Sequence, residues 1–293
     1  MENNTEIQNT NEPTQKEKYH FGIDHLVLKI IAIICMTLDH VGLLLLDYNS
    51  FGQIVLRNIG RLALPLFMFL IVDSMVRTKK KEALLLRLGI CAVINIIACY
   101  IITAIYENYV GAIFVDLFLM ATITYFVMKR NVYSLIAIVP LAIYIISGFQ
   151  ISVDNIPVFP FITDGGFYSL LIGLSAVTGY FFAPIIAKKY ALSRQVDTKF
   201  FTQTYSLTIT KIVTIVLVLT FSIINLLIYH YTSHYIFLNE LQDGVFRDYG
   251  LIAFIFVAFY NGKRGYSNTI IKYSFYAYYP LHIAIIFLFS LLK

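Results

Sequence analysis

Seven ionisable side chains lie inside hydrophobic stretches of this sequence, where they could do chemistry within a membrane. They are Asp39, His40, Arg57, Arg61, Asp73, Asp116 and His282. A charged side chain is costly in hydrocarbon, so such residues commonly mark catalytic sites, ion pathways or proton relays. Histidine titrates near neutral pH and suits a general base, whereas arginine can stabilise developing negative charge. The combination is typical of acid–base chemistry inside a bilayer.

Hydrophobic stretches long enough to cross a bilayer must position these residues. Hydrophobic residues make up 59% of the 293 residues and charged residues only 13%, whereas about a quarter of a soluble protein is charged. Continuous apolar runs of about 18 residues predict transmembrane helices rather than a barrel. We predict an all-α, polytopic integral membrane helical bundle with about nine transmembrane helices. They cover approximately residues 26–46, 54–76, 83–105, 109–128, 132–149, 166–187, 209–230, 247–260 and 273–292.

The distribution of basic residues predicts a cytoplasmic N-terminus. Cytoplasmic loops are enriched in Lys and Arg, and with the N-terminus inside, 18 of the 22 basic residues fall on inner segments. This pattern indicates a multi-pass membrane protein, with the lipid bilayer and not nucleic acid as its partner; a bacterial cytoplasmic (inner) membrane is the location that we expect. The polar composition of residues 1–25 predicts a disordered cytoplasmic tail, followed by a single transmembrane domain over residues 26–293. Three cysteines without metal-ligand spacing predict no metal site.

Helix geometry places polar residues from four predicted spans at similar depths. Asp39, Arg61 and Asp116 each lie roughly 20 Å from the inner face, and His282 roughly 14 Å, at 1.5 Å per residue. We therefore expect a shared polar cavity in the middle to outer half of the membrane. Asp39 and His40 are adjacent and point about 100° apart. Each is therefore expected to find a partner on another span.

The two arginines of the second span are expected to need neutralising. Arg57 and Arg61 are four residues apart and share one helix face. The simplest arrangement neutralises this face with Asp39 or Asp116 and leaves a histidine free for proton transfer. Two structural alternatives stay open. Asp39 and Arg61 could form a buried ion pair, and His282 could be a core residue whose hydrogen bonds are made within the protein.

Five segments carry motifs in a fixed order. They are Leu28–His40 (LKIIAIICMTLDH), Ile59–Phe69 (IGRLALPLFMF), the basic segment from Arg77 to Arg87, Tyr260–Gly265 (YNGKRG) and Lys272–His282 (KYSFYAYYPLH). Together they resemble the TraX family of membrane acetyltransferases, named for the protein that N-acetylates conjugative pilin. The first three cover residues 28–90 almost continuously and the last two cover residues 255–290. The stretch between them is only loosely similar.

The resemblance implies a transmembrane acyltransferase domain that takes an acetyl (or short acyl) group from cytoplasmic acetyl-CoA. The acceptor would be a peptide N-terminus or a cell-surface glycan at the outer side. By motif, Asp39 and His40 correspond to the family's Asp-His pair, Arg61 to its Gly-Arg arginine, and His282 to its Pro-Leu-His histidine. We expect His40 as the base, and His282 as a second base or acceptor-positioning group. Arg61 would stabilise charge, and Asp39 would hold Arg61 or a histidine in place.

Cytoplasmic basic residues are expected to bind the phosphates of acetyl-CoA. They are Arg77, Lys80, Arg87, Lys263 and Arg264. Structural explanations compete with this role, because the Lys79–Lys81 run is typical of a positive-inside loop. Asp73 and Arg77 are four residues apart and could form a snorkelling pair at the membrane boundary.

Two other function classes fit the same intramembrane residues. Asp, Arg and His side chains also serve proton relays in transporters and exporters, so a proton-coupled transporter is the alternative function. Against it, the sequence shows no repeated halves and no paired broken spans. A non-catalytic scaffold, in which the buried charges are structural, is the third possibility.

Overall fold

Helices occupy all nine stretches predicted from hydrophobicity. The computed structural model describes residues 22–106, 112–148, 152–153, 156–157, 163–232 and 247–292, so most of the predicted tail lies outside the described residues. The α-helices are α1 (His25–Leu45), α2 (Phe51–Gly60), α3 (Ala63–Arg77), α4 (Lys81–Tyr106), α5 (Ile113–Val127), α6 (Ile138–Gly148), α7 (Gly166–Ser193), α8 (Thr198–Thr232), α9 (Ala253–Ala258) and α10 (Thr269–Leu291). Short 3-10 segments precede α6 and α9, at Val132–Ala137 and Arg247–Ile252. Strands β1 (Ser152–Val153) and β2 (Ile156–Pro157) pair antiparallel, Ser152 with Pro157 and Val153 with Ile156.

Five helical stretches are long and apolar enough to cross a membrane. They are His25–Leu45, Phe51–Arg77, Lys81–Ile101, Gly166–Ser193 and Thr198–Ile228. Many large apolar side chains on their outer faces are exposed, among them Ile34, Leu86 and Ile223. A surface of this kind is stable when hydrocarbon covers it. The fold is therefore a membrane helical bundle, while the nine crossings and the cytoplasmic N-terminus remain predictions.

The second predicted span is broken into α2 and α3 at Arg61 and Leu62. The backbone N–H of Arg61 still bonds to the Arg57 carbonyl at 3.1 Å, which completes the last turn of α2. Pro65 lies in the first turn of α3, where a missing N–H costs no helical hydrogen bond. The break therefore places Arg61 at a helix end rather than in the middle of a continuous span.

Between the predicted spans 166–187 and 209–230 the chain is largely helical, so both helices extend beyond their apolar stretches. α7 continues to Ser193, and α8 begins at Thr198 after Asp197, whose carboxylate accepts from the Lys199 N–H at 2.8 Å. The physical reason is that an apolar run measures the part of a helix inside hydrocarbon. It does not show where a helix that projects beyond the membrane ends.

The segment between α9 and α10 binds the beginning of α1. The Ile23 N–H donates to the Phe259 carbonyl, the Asn261 N–H to Ile23, and the His25 N–H to Lys263, each at 2.9 Å. Asp24 then begins α1 by accepting from the N–H of Val27, and Asn268 begins α10 by accepting from Ile271. α1 and α10 consequently start at the same end of the bundle and run side by side.

Candidate functional site

α1 and α10 bring His40 and His282 into contact. Nδ1 of His40 lies 3.2 Å from Nε2 of His282, and the ring centres are 5.1 Å apart at 61°. One turn below, the hydroxyl groups of Thr37 and Tyr278 are 2.8 Å apart, which fixes the two helices in register. His282 is buried and His40 is half-buried. The structure therefore gives His40 a partner on another helix, as expected.

Hydrogen bonds assign the tautomers of the two histidines. Nδ1 of His282 lies 3.0 Å from the carbonyl oxygen of Tyr278, which can only accept, so this nitrogen carries the proton. Nε2 of a neutral His282 is then an acceptor, and Nδ1 of His40 must donate to it. The remaining nitrogen of His40, Nε2, then carries a lone pair for which the described part of the chain supplies no donor. His282 thus holds His40 in the tautomer that a general base requires.

Asp39 pairs with Arg57 and so neutralises one arginine of the second span, as expected, whereas the alternative ion pair between Asp39 and Arg61 is not formed. Nη1 of Arg57 lies 3.1 Å from Oδ2 of Asp39. α1 and α2 approach so closely here that a Cβ atom on Gly60 would overlap the Asp39 side chain and lie 2.8 Å from its Cα. The same close packing sets Gly42 of α1 against Arg57. The face of α2 that meets α1 thus runs through Arg57 and Gly60, and Arg61 points about 100° away from Gly60.

Two buried polar atoms near this ion pair have no hydrogen-bond partner among the described residues. They are Oδ1 of Asp39 and Nε of Arg61. A buried acceptor and a buried donor without partners are costly.

Asp116 belongs to a different network, which corrects two sequence predictions. Its carboxylate is fully buried and accepts from the hydroxyl groups of Tyr144 and Ser169 at 2.5 Å and from the Asp164 N–H at 2.7 Å. These donors satisfy Asp116 and join α5, α6 and α7. Asp116 therefore does not neutralise Arg57, nor Arg61 at the break after α2. Nor do the intramembrane polar groups share a single polar cavity.

A narrow cavity leads towards the histidines between α1, α3, α4, α5 and α10. Its volume is about 110 Å³, and most of its wall is apolar or aromatic. At one end it is lined by Tyr278 and Tyr279, whose rings lie 5.0 and 5.4 Å from the ring of His282. Lys29 also lines it, seven residues before Met36 on α1, which corresponds to about 10 Å. The two histidines do not line the cavity themselves, but they lie beside the tyrosines at this end.

Asp73 is the centre of a second polar network, at the end of the bundle where α1 and α10 begin. This carboxylate is only 1% exposed. It accepts from Nε of Arg77 at 2.5 Å, from the hydroxyl of Tyr260 at 2.8 Å and from the hydroxyl of Tyr180. Arg77 also donates to the Gly262 carbonyl at 3.0 Å. The Asp73–Arg77 pair is formed: its carboxylate is buried, whereas the Arg77 side chain is 41% exposed, and the pair also links α3 to the segment after α9.

The predicted coenzyme-binding residues differ in their positions. Arg87 lies beside Tyr276, a residue of the cavity wall, with its guanidinium 5.9 Å from the ring centre. Lys80, Lys263 and Arg264 are exposed and outside the cavity lining. Lys29 was missed as a site residue, although a lysine inside the apolar first motif was a usable signal. Among the described residues, no group of three His, Cys, Asp or Glu side chains is placed to hold a metal ion.

Comparisons with known proteins agree with the motifs. A family model described as TraX protein matches residues 25–242, a range that includes the loosely similar middle and ends before His282. The probable fimbrial assembly protein FimC, serogroup H1, of Dichelobacter nodosus is 44% identical over 61 residues, which cover 21% of this chain and 25% of that protein. No solved structure matches. Because the family model covers about three quarters of the sequence, this chain belongs to the TraX family.

Proposed function

We propose that this protein is an acyltransferase of the bacterial cytoplasmic membrane that moves an acetyl (or short acyl) group from cytoplasmic acetyl-CoA to an acceptor at the outer side. The observation that carries the proposal is the contact between His40 and His282, beside the two tyrosines that line one end of an apolar cavity. Membership of the TraX family supports it, because the family is associated with pilin acetylation. The similar fimbrial assembly protein favours the N-terminus of an exported peptide over a glycan as acceptor.

The cavity suits the uncharged arm of the donor. Coenzyme A carries its acyl group on a long, thin pantetheine chain, and a slender apolar cavity excludes bulkier molecules. The rings of Tyr278 and Tyr279 lie between the cavity and His282. A thioester at this end of the cavity would therefore lie close to the base.

The histidine pair supplies the proton transfers of the reaction. The free Nε2 of His40 takes a proton from the acceptor amine or hydroxyl while that group attacks the thioester carbonyl. The resulting imidazolium is stabilised because its Nδ1–H already donates to Nε2 of His282. When the carbon–sulfur bond breaks, the same imidazolium returns the proton to the sulfur. The products are the acetylated acceptor and free coenzyme A, and His40 is restored.

Arg61 is the residue assigned to the oxyanion. Arg57 is already paired with the Asp39 carboxylate, which compensates its charge. Arg61 has a buried Nε donor without a partner among the described residues. A fixed donor in a low-dielectric site stabilises the negative oxygen of a tetrahedral intermediate.

Acetyl transfer can be tested with the purified protein in nanodiscs. Acetyl-CoA is supplied with a short peptide that has a free N-terminus, and free coenzyme A and acetylated peptide are measured by mass spectrometry. His40→Ala is expected to lower the rate by about 100- to 10,000-fold, the usual contribution of a general base. His230→Ala is the matched control, since His230 lies at the exposed end of α8 and contacts Tyr231.

Undiminished transfer by His40→Ala would rule out the assignment of the base. If the wild-type protein neither binds nor consumes acyl-CoA of any chain length, the acyltransferase proposal fails. Proton-coupled uptake in vesicles would then be the next measurement, because it tests the transporter alternative.

A further inference from the structure

Lys29 lies in the wall of the cavity near the beginning of α1. Its ammonium group is 4.0 Å from the ring centre of Phe275 and 6.0 Å from that of Tyr276, and both rings also line the cavity. In the described parts of the chain, the carboxylates that form ion pairs are Asp39 and Asp73, and neither pairs with Lys29. A cation thus stands in a mostly apolar wall with aromatic rings as its neighbours.

This position differs from that of a lysine that only borders the membrane. A snorkelling lysine lays its stem on apolar surface and turns its ammonium into water. Lys29 instead places its ammonium against rings of the cavity wall. Contacts with aromatic faces offset only part of the cost of removing a cation from water. An anion that enters the cavity would offset the rest.

A second cation, Arg87 of α4, lies near the same ring, although Arg87 is not itself in the cavity lining. The guanidinium of Arg87 lies 5.9 Å from the ring centre of Tyr276, the ring that also neighbours Lys29. Its Nε atom is buried without a hydrogen-bond partner among the described residues. Leu84 and Leu88, on the same helix, line the cavity. Two positive charges near the Tyr276 ring can compensate an anion that carries more than one negative charge. A guanidinium is well suited to bind phosphate oxygens.

We propose that Lys29 and Arg87 form an anion site at the inner mouth of the cavity and bind the phosphate from which the pantetheine arm of the donor extends. This inference rests on the proposed function and assigns a binding role to Lys29. A phosphate held at Lys29 lets the extended arm follow the cavity towards Tyr278 and Tyr279, whose rings lie beside His282, so that its thioester approaches the histidine pair.

Two compounds that differ only in the phosphate test this site. 4′-Phosphopantetheine and pantetheine are each titrated against the full-length protein in nanodiscs of neutral lipid. The wild-type protein is expected to prefer the phosphorylated compound by about tenfold, the effect of one good charge-assisted hydrogen bond. Lys29→Met, of similar size but uncharged, should lose the preference and still bind pantetheine as the wild type does, and Lys29→Arg should keep it. Lys272→Met is the matched control, because that ammonium lies 5.3 Å from the Tyr273 ring outside the cavity lining.

Three results would overturn the inference in distinguishable ways. An unchanged preference in Lys29→Met excludes Lys29 as the phosphate-binding residue and leaves acyl transfer intact, provided that acetyl-CoA binds. If phosphatidylglycerol in the nanodisc stabilises the protein through Lys29 and neither pantetheine compound binds, the site takes a lipid headgroup and not the donor. If the wild-type protein binds neither acetyl-CoA nor the two compounds, the proposed function fails, and this inference fails with it.

Discussion

Removing Arg57 is expected to destabilise the protein because it leaves the Asp39 carboxylate without its counter-ion. The side chains of Arg57 and Asp39 are 10% and 19% exposed, and their charged atoms are 3.1 Å apart. Breaking a buried ion pair by removing one partner costs about 3–5 kcal/mol. Because the Asp39 side chain is 19% exposed, the unpaired carboxylate is not completely desolvated. We therefore expect Arg57→Met to lower the free energy of unfolding by about 3 kcal/mol, the lower end of that range.

A double-mutant cycle isolates the pair from the other contacts of Arg57. Asp39→Asn removes the carboxylate charge with little change in shape, so the double variant has no uncompensated charge. It should therefore be more stable than Arg57→Met alone, with a coupling energy of about 2 kcal/mol. The matched cycle combines Asp39→Asn with Arg61→Met, for which we expect less than about 0.5 kcal/mol.

Buried thiols provide the assay for this cycle. The sequence has no tryptophan, but Cys35 and Cys99 are buried and become accessible to a thiol-reactive dye on unfolding. The unfolding midpoint is measured in detergent with increasing denaturant, and helix content is followed by circular dichroism. A coupling of Asp39 to Arg61 as strong as that to Arg57 would refute the reasoning, since it would mean that α2 presents a different face to α1.

Two further stability predictions use the same assay. Asp116→Ala leaves the buried hydroxyl groups of Tyr144 and Ser169 without their carboxylate acceptor and should cost about 2–3 kcal/mol; wild-type stability would show that this network is not structural. Gly60→Ala should cost about 1–3 kcal/mol through overpacking, because its Cβ would meet α1. Gly52→Ala is the control, since its Cβ would meet only the end of the Leu46 side chain, and equal effects of the two substitutions would contradict the close approach.

Hydrophobicity predicted where the helices lie because bilayer thickness fixes the length of an apolar stretch. The first span was predicted at 26–46 and found as His25–Leu45, and the last was predicted at 273–292 and found as Thr269–Leu291. The break at Arg61 and Leu62 was missed because apolar residues continue on both sides of it. Gly60 and Pro65, five residues apart, were the local signal.

Residue types predicted which side chains make polar contacts between helices better than spacing predicted the partners in those contacts. Placing Arg57 and Arg61 on one face was correct helix geometry, but it did not show which arginine meets α1. That choice depends on the antiparallel register of α1 and α2, set by Gly42 against Arg57 and Gly60 against Asp39. Small residues at such contacts let membrane helices approach, so the two glycines carried information that a survey of charges overlooked.

The Tyr260–Gly265 motif attracted attention through Lys263 and Arg264, yet its backbone has a role that these charges do not show. It binds Ile23 and His25 at the beginning of α1. Gly262 and Gly265 have φ values of +77° and +70°, which favour glycine, and the Asp24 carboxylate packs where Gly265 would carry a Cβ. Because this segment also leads into α10, it sets the height of α10 relative to α1. A shift of one turn, about 5.4 Å, would separate His282 from His40, so the motif at the inner end and the histidines within the membrane form one structural unit.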